Sequence, residues 1–553
     1  MRSLPPEAVA LLAAVHAPMA VRERLLGPAD VRLAALAALR TVAVPALVPD
    51  LLPLVFGETG ALRDGAVAVL ERALTAATPS DLRWLDEACR RAGGWVHDPP
   101  PSAVTPRGWR ALTPAALRAP DRAASVAVIG VASFHPYLQV RLAAVSKLRD
   151  STDGREIPFL VIRLNDWVPV IAAEAGHVLE RRVLPRFAAA WVDALPLLLR
   201  LGPHTRRNPN ELVGRVFAML RAPEQTDVLQ AAFGSGDRDA RRTCARLLRE
   251  SDAAPDAHVA FVTTALRDGD PVVRREAVAG ARQHFADDAL EALLPTVLAD
   301  PYPPVRRDAL AAAAERLGER ATPWLIGGLL DRGRSAREFA QFHLARRGVL
   351  TDFAGYYREQ IDAVAGAPGR LAVATAALGE TGRASDAPAL VPLLAHARPA
   401  VRRAAARALG RLDAAGHGDH LLSLLQDPSP GVTHAARDAL RAHRASLAPA
   451  ALLPILHGSA PAHGKLDALA LADTLSKWDR LAVLLDAVTA RDTRVRDDAR
   501  RRLEGWIARQ NVSFAQPSAA QRVALRASLA RSAAALPPTA VSELGSILDY
   551  WTR

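Results

Sequence analysis

The chain has 553 residues, 70 of them Lys or Arg against 58 Asp or Glu, which leaves a formal charge of +12 and a pI near 10.6. Half of it is apolar but only 5% is aromatic, which suits Ala/Leu helix packing and argues against a large aromatic-lined pocket. No run approaches the length of an uninterrupted apolar membrane span. The two cysteines, Cys89 and Cys244, sit far apart in helical, Ala-like positions and read as buried free thiols of a reducing compartment, the cytoplasm.

Residues 8–15 (AVALLAAV) imitate the apolar part of a signal peptide. Pro5, Pro6 and Glu7 precede them, however, and the helical pattern continues through 21–27, so secretion is not expected. Residues 1–92 hold two clear helix–turn–helix units and a third whose first helix includes 81–94. The segment 93–125 breaks the rhythm with Gly93-Gly94, Pro99-Pro100-Pro101, Pro106, Pro114 and Pro120, so it cannot be one helix. It is a linker or an ordered loop. Trp95 and Trp109 are the candidate anchors, because two indoles in a polar loop are costly to leave in water; an ordered loop packed on the rest of the chain or on a partner is favoured.

The main array, 126–510, is clearest at 397–411, ARPAVRRAAARALGR. Val401, Ala405, Ala408 and Leu409 share one helix face at the 3.6-residue period. That face is mostly Ala, so a neighbouring helix can approach closely. Pro399 suits a first turn, and Gly410 is placed for a left-handed cap. Residues 386–395 form a short apolar helix ahead of it. From Ala240 onward the corresponding positions are Val273, Val305, Ala336, Arg370, Val401, Val432, Leu466 and Val495, and the intervals between them are 33, 32, 31, 34, 31, 31, 34 and 29 residues. Val31, Leu62, Val140 and Ile171 occupy the same position earlier, with Leu212 a weaker member. Fixed spacing in this range marks an α-solenoid. Past Trp506 the pattern fades. Ser518 and Gln521 resemble a capping box, and Val541, Leu544, Ile547, Leu548 and Trp551 share a side, so 511–553 are read as capping helices. The fold class is therefore all-α, an α-α superhelix of about 13–14 helical hairpins.

The copies DGDPVVRREAVAGA (268–281), DPYPPVRRDALAAA (300–313) and DPSPGVTHAARDAL (427–440) share a turn Asp, a Pro, and in the first two a Val-Arg pair opening the second helix. In these features the chain resembles the HEAT-repeat (armadillo-type) family, in the short bacterial form also seen in phycobilisome-lyase-like proteins. The resemblance covers nearly everything but 93–125 and the C-terminal tail. It implies an Asp–Arg ladder between repeats, interrupted where Ala172 and Thr433 replace the Arg. It specifies little about activity, since the fold hosts scaffolds, lyases, hydroxylases and glycosylases.

No catalytic, cofactor or metal site is predicted. CxxC, HExxH, GxSxG and a GxGxxG after a strand are all lacking, and GSAPAHGKL (458–466) is a turn rather than a phosphate loop. Glu174 and His177 share a helix face, but one such pair cannot build a metal centre, and a pair without metal is the better reading. Asp166-Trp167 and Trp478-Asp479 match residue types that HEAT-like DNA glycosylases use, without a diagnostic motif; core or turn packing accounts for both tryptophans. The Arg doublets carry more information. Their first members fit a structural ion pair. Arg242, Arg275, Arg307 and Arg403, with Arg246 and Arg407 one turn on, are the candidate partner- or polyanion-binding residues. Interleaved Glu276, Asp308, Asp438, Asp497 and Asp498 dilute any basic ridge. The favoured expectation is a non-enzymatic bacterial scaffold that binds a protein along its concave face, with no membrane contact; the alternative is a nucleic-acid-binding solenoid. Oligomeric state is left open.

Overall fold

The structure, a computed structural model, describes residues 4–16, 31–92, 107–118, 125–201, 210–234, 236–442, 447–510 and 515–550. Among them every regular element is an α- or 3-10 helix, and none is long and apolar enough to cross a membrane. The chain forms two compact units, Met1–Val297 and Leu298–Arg553. In each, helical hairpins stack so that the second helix of one repeat packs on the second helix of the next. In the C-terminal unit the run Pro368–Thr381, Pro399–Asp413, Pro430–Ala442 is of this kind.

Val401, Ala405, Ala408 and Leu409 have no exposed surface, as their spacing requires. The segment ahead of them is a 3-10 helix, Ala384–Ala395, because Pro388 and Pro392 remove backbone donors that an α-helix would need. Pro399 opens the second helix as expected, but the cap assigned to Gly410 is corrected. The helix runs through Gly410 to Asp413, and Gly410 is not among the glycines with positive φ. What Gly410 supplies is space. A Cβ built there would lie 2.3 Å from the Cβ of Ala439, and one at Gly379 would lie 2.4 Å from the Cβ of Ala408. Glycine on alanine, one repeat apart, lets three successive helices approach backbone to side chain.

Two repeats differ in register from the alignment. Arg370 is exposed and the next residue, Leu371, is buried; Val31 is exposed while Ala35, Leu36 and Leu39 fill the core. At 370 the inward residue is the neighbouring Leu371 rather than the Arg at the expected spacing, and at 31 the inward face begins one turn later, at Ala35.

Part of the Pro-rich 93–125 segment is described. Arg107–Arg110 and Pro114–Arg118 are short helices. Trp109 is fully buried, its indole N–H donating to the Cys89 carbonyl at 3.1 Å and its ring packed on Phe56 and His135. Gly108 lies so close to Gly57 that a Cβ would meet the Gly57 Cα at 2.3 Å. Trp95 lies outside the described residues. At the C-terminus the Ser518–Gln521 capping box forms in both directions, opening the helix Ala519–Ser532. The helix Pro538–Tyr550 then buries Leu544, Ile547 and Leu548; Trp551 is outside the described residues.

Candidate functional site

The turn Asp and the Arg after each Val position build a repeating device. The Arg402 fork donates Nε and Nη2 to Asp427 at 2.7 and 2.9 Å, while its Nη1 donates to the carbonyls of His396 and Ala397 in its own turn. Asp427 also accepts the Ser429 N–H. One guanidinium thus ties its own turn to the next. Arg306 repeats the pattern with Asp331 and Arg141 with Asp166. Arg241 pairs with Asp268 at 2.9 Å, and Arg337 substitutes Glu380 for the Asp. The interruption expected at Thr433 is also corrected. The Thr433 hydroxyl donates to Asp467 at 2.7 Å, and Arg437, one turn later, supplies the charge to the same carboxylate. Planar forks suit this work because two parallel N–H donors match two carboxylate oxygens.

The six candidate arginines are placed differently from one another. Arg242 is held by Asp270 at 2.6 Å, and the same carboxylate caps the helix at Val272. Arg246 lies over the Phe217 ring, 5.5 Å from its centroid. Arg275 is exposed. Arg307 is exposed and 3.5 Å from Asp308. Arg403 and Arg407 are exposed and make no ion pair among the described residues. The first three belong to the N-terminal unit and the last three to the C-terminal one. Glu174 accepts from Arg149, and His177 is exposed. No group of three or more His, Cys, Asp or Glu side chains is placed to hold a metal among the described residues.

The N-terminal unit also contains a cleft of about 720 Å³. One wall is the helix Pro79–Ala92, which contributes Arg83, Asp86 and Arg90. The other is the helix Ile157–Arg163 with the turn after it, bringing Arg163, Asn165, Asp166 and Trp167. The end of a third helix adds Leu197 and Arg200. At its floor Asp166 is fully enclosed. It accepts from Arg141 at 3.0 and 3.2 Å, from Arg163 at 2.8 Å and from the Val168 N–H at 3.0 Å. Burial would raise its pKa, but Arg163, the Val168 N–H and Arg141 outweigh that and hold it below the ordinary carboxylate range. Arg163 also pairs with Asp86, and Arg90 forks onto Asp86 at 3.1 and 3.4 Å. Arg141 is itself lowered, first by burial and further by Arg90 and Arg163, against the pull of Asp166.

Trp167 is 55% exposed, with the Arg141 guanidinium 5.5 Å from its ring centroid. Of the core or turn packing expected for this indole, the turn is where it lies, on the Arg141 guanidinium and half open to solvent. Core packing accounts for Trp478, which is buried and donates to the Ala515 carbonyl. The cleft was not visible as a unit in the sequence, since its two principal walls are some eighty residues apart and follow no repeat period. The only local signal was Asp166-Trp167.

A family model for HEAT repeats matches residues 226–314 and 369–441. No curated protein matches the sequence. Among solved structures, the karyopherin Kap121p bound to the SUMO protease Ulp1p aligns at 13% identity and a TM-score of 0.29, over 99% of this chain and 58% of that one. Kap95p in complex with RanGDP aligns at 12% and 0.35, over 85% and 66%, and importin beta at 12% and 0.33, over 98% and 80%. The chain thus spans less than two thirds of the first two. Sequence match, repeat spacing and the Arg–Asp ladder agree on HEAT-type repeats over residues 226–314 and 369–441, in a chain whose regular elements are all helical among the described residues.

Proposed function

We propose that the chain is a non-enzymatic scaffold of the bacterial cytoplasm that binds a protein partner along the concave face of its second helices. The observation that carries this reading is the fate of the arginines. Arg141, Arg241, Arg242, Arg306, Arg337 and Arg402 are all held by carboxylates of neighbouring turns and helices. These six guanidiniums are therefore committed to contacts inside the repeats, and at those positions a chain of phosphates would have to compete with carboxylates already in fork geometry. The test is crosslinking and affinity purification from nuclease-treated extracts of the host. A reproducible, stoichiometric protein is expected, and recovery of nucleic acid without any protein would overturn the proposal.

A second reading rests on Arg403 and Arg407, exposed and without ion pairs among the described residues. They could contribute to a nucleic-acid surface. Charge reversal at Arg403 and Arg407 tests it: loss of salt-sensitive DNA binding with an unchanged thermal transition would support this reading, and unchanged binding would reject it.

A further inference from the structure

The cleft in the N-terminal unit is charged in a way that its own residues do not balance. Arg90, Arg141 and Arg163 converge on two carboxylates, Asp86 and Asp166. Arg141 and Arg163 have side chains essentially without exposure. Three buried or half-buried guanidiniums over two carboxylates leave a positive excess where water screens poorly. Arg163 is also incompletely used. Its Nη atoms reach Asp166 and Asp86, but its buried Nε has no hydrogen-bond partner among the described residues. At the rim Arg83 and Arg200 are exposed and make no ion pair among the described residues. A built cationic site with an unfilled buried donor calls for an anion.

The walls say which kind. Val161, Ile162, Leu197 and Leu201 line the cleft beside the half-exposed Trp167, so the anion must arrive next to an apolar group. Asp86 and Asp166 stay in the lining, which disfavours a dianionic phosphate or a phosphate chain relative to single carboxylates separated by apolar side chains. From this charge and apolar complementarity we infer that the cleft docks a peptide segment in which Glu or Asp alternates with large apolar residues, with Arg83 and Arg200 taking the carboxylates at the rim and Trp167 the apolar side chain. The inference rests on the protein-scaffold reading and identifies the chemistry of the segment that the scaffold would hold. A cleft of about 720 Å³ accommodates three or four side chains, within the usual range of ligand sites.

The probe is a fluorescein-labelled amide of Gly-Leu-Glu-Ile-Glu-Leu-Gly, compared by anisotropy with its Gln counterpart on the full-length protein. The Glu peptide is expected to bind at least about tenfold more tightly, and the Arg83→Glu/Arg200→Glu variant to lose at least about tenfold of that affinity. Both positions are exposed, so an unchanged thermal transition certifies the fold of the variant. Trp167→Ala should weaken the Glu and Gln peptides alike. Equal binding of the two peptides, or an unchanged Kd in the charge-reversed variant, overturns the inference. So does displacement of the peptide by inorganic phosphate or by oligothymidylate at lower concentration than by unlabelled peptide, which would assign the cleft to a phosphate-bearing ligand. If the charge-reversed protein still captures its partner, the cleft assignment fails while the scaffold reading stands. If the wild type captures nucleic acid and no protein, the scaffold reading fails independently of the peptide result.

Discussion

Arg402 shows how much one side chain does in this fold. Its fork holds Asp427, its third donor holds two carbonyls of its own turn, and both partners are nearly buried. Asp427→Ala removes both the carboxylate and the cap on Ser429, leaving a buried guanidinium half satisfied. We expect a loss of about 2–4 kcal/mol in urea denaturation. A double-mutant cycle with Arg402→Leu should return a coupling of about 1–3 kcal/mol, and additive single losses would contradict a direct pair. His135 makes a second residue-scale prediction. Burial, opposed by the Trp109 carbonyl hydrogen bond and aided by nearby Arg141, lowers its pKa from 6.5 to about 4. The unfolded chain therefore binds a proton between those values that the folded chain refuses. Stability is full above pH 6.5 and falls as the pH drops toward 4, by on the order of 3 kcal/mol. Comparing wild type with His135→Gln at about pH 7.5 and about pH 4.5 isolates this contribution from the carboxylates; equal slopes for the two proteins would rule it out.

Helices in this chain are selected by what they must lie against. Gly410 is the clearest case. Helix propensity alone predicts that Gly410→Ala stabilises an interior turn by about 1 kcal/mol. Its Cβ, however, would lie 2.3 Å from that of Ala439, and separating two packed helices costs about 1–3 kcal/mol, occasionally more. The packing cost should win, so Gly410→Ala is expected to lower the urea midpoint, and a raised midpoint would mean that the helices separate freely. Gly379→Ala should behave in the same way, since Ala408 faces it at 2.4 Å. The hairpin's first member obeys the same logic in reverse. The 3-10 segment Ala384–Ala395 tolerates two internal prolines because tertiary packing of Ala387 and Leu390, rather than a full α ladder, holds it in place.

For the molecule as a whole, the formal charge of +12 is already net of every carboxylate, so what a polyanion would meet depends on where the arginines lie. Ladder arginines are neutralised in place, and the exposed candidates are spread over two units. Binding to a 20-base-pair duplex at about 0.15 M salt should therefore be no tighter than about 1 µM, with a shallow salt dependence. Submicromolar affinity with a steep slope would return the array to nucleic acid. Under the proposal made above, the concentration of unbalanced charge in the Arg83–Arg200 cleft matters more for recognition than the net charge does.

The periodicity of small apolar residues was enough to read the fold class and the hairpin unit, because each repeat contacts mainly its neighbours and so repeats its requirements along the chain. Val401, Ala405, Ala408 and Leu409 could be assigned from one stretch of sequence for that reason. The structural role of the first Arg of each doublet came from the family resemblance. What periodicity could not carry was anything specific to a single contact. Gly410 looked like a cap because glycine satisfies both a left-handed turn and a close approach, and only the facing Ala439 distinguishes them. Thr433 looked like a gap because the replacement donor, Arg437, sits a turn away. The cleft was invisible because Asp86 and Asp166, though bridged by Arg163 in space, share no period in the sequence. Local repetition determined the stack; the few non-repeating contacts, decided only when the helices pack, built the cleft between Asp86 and Asp166.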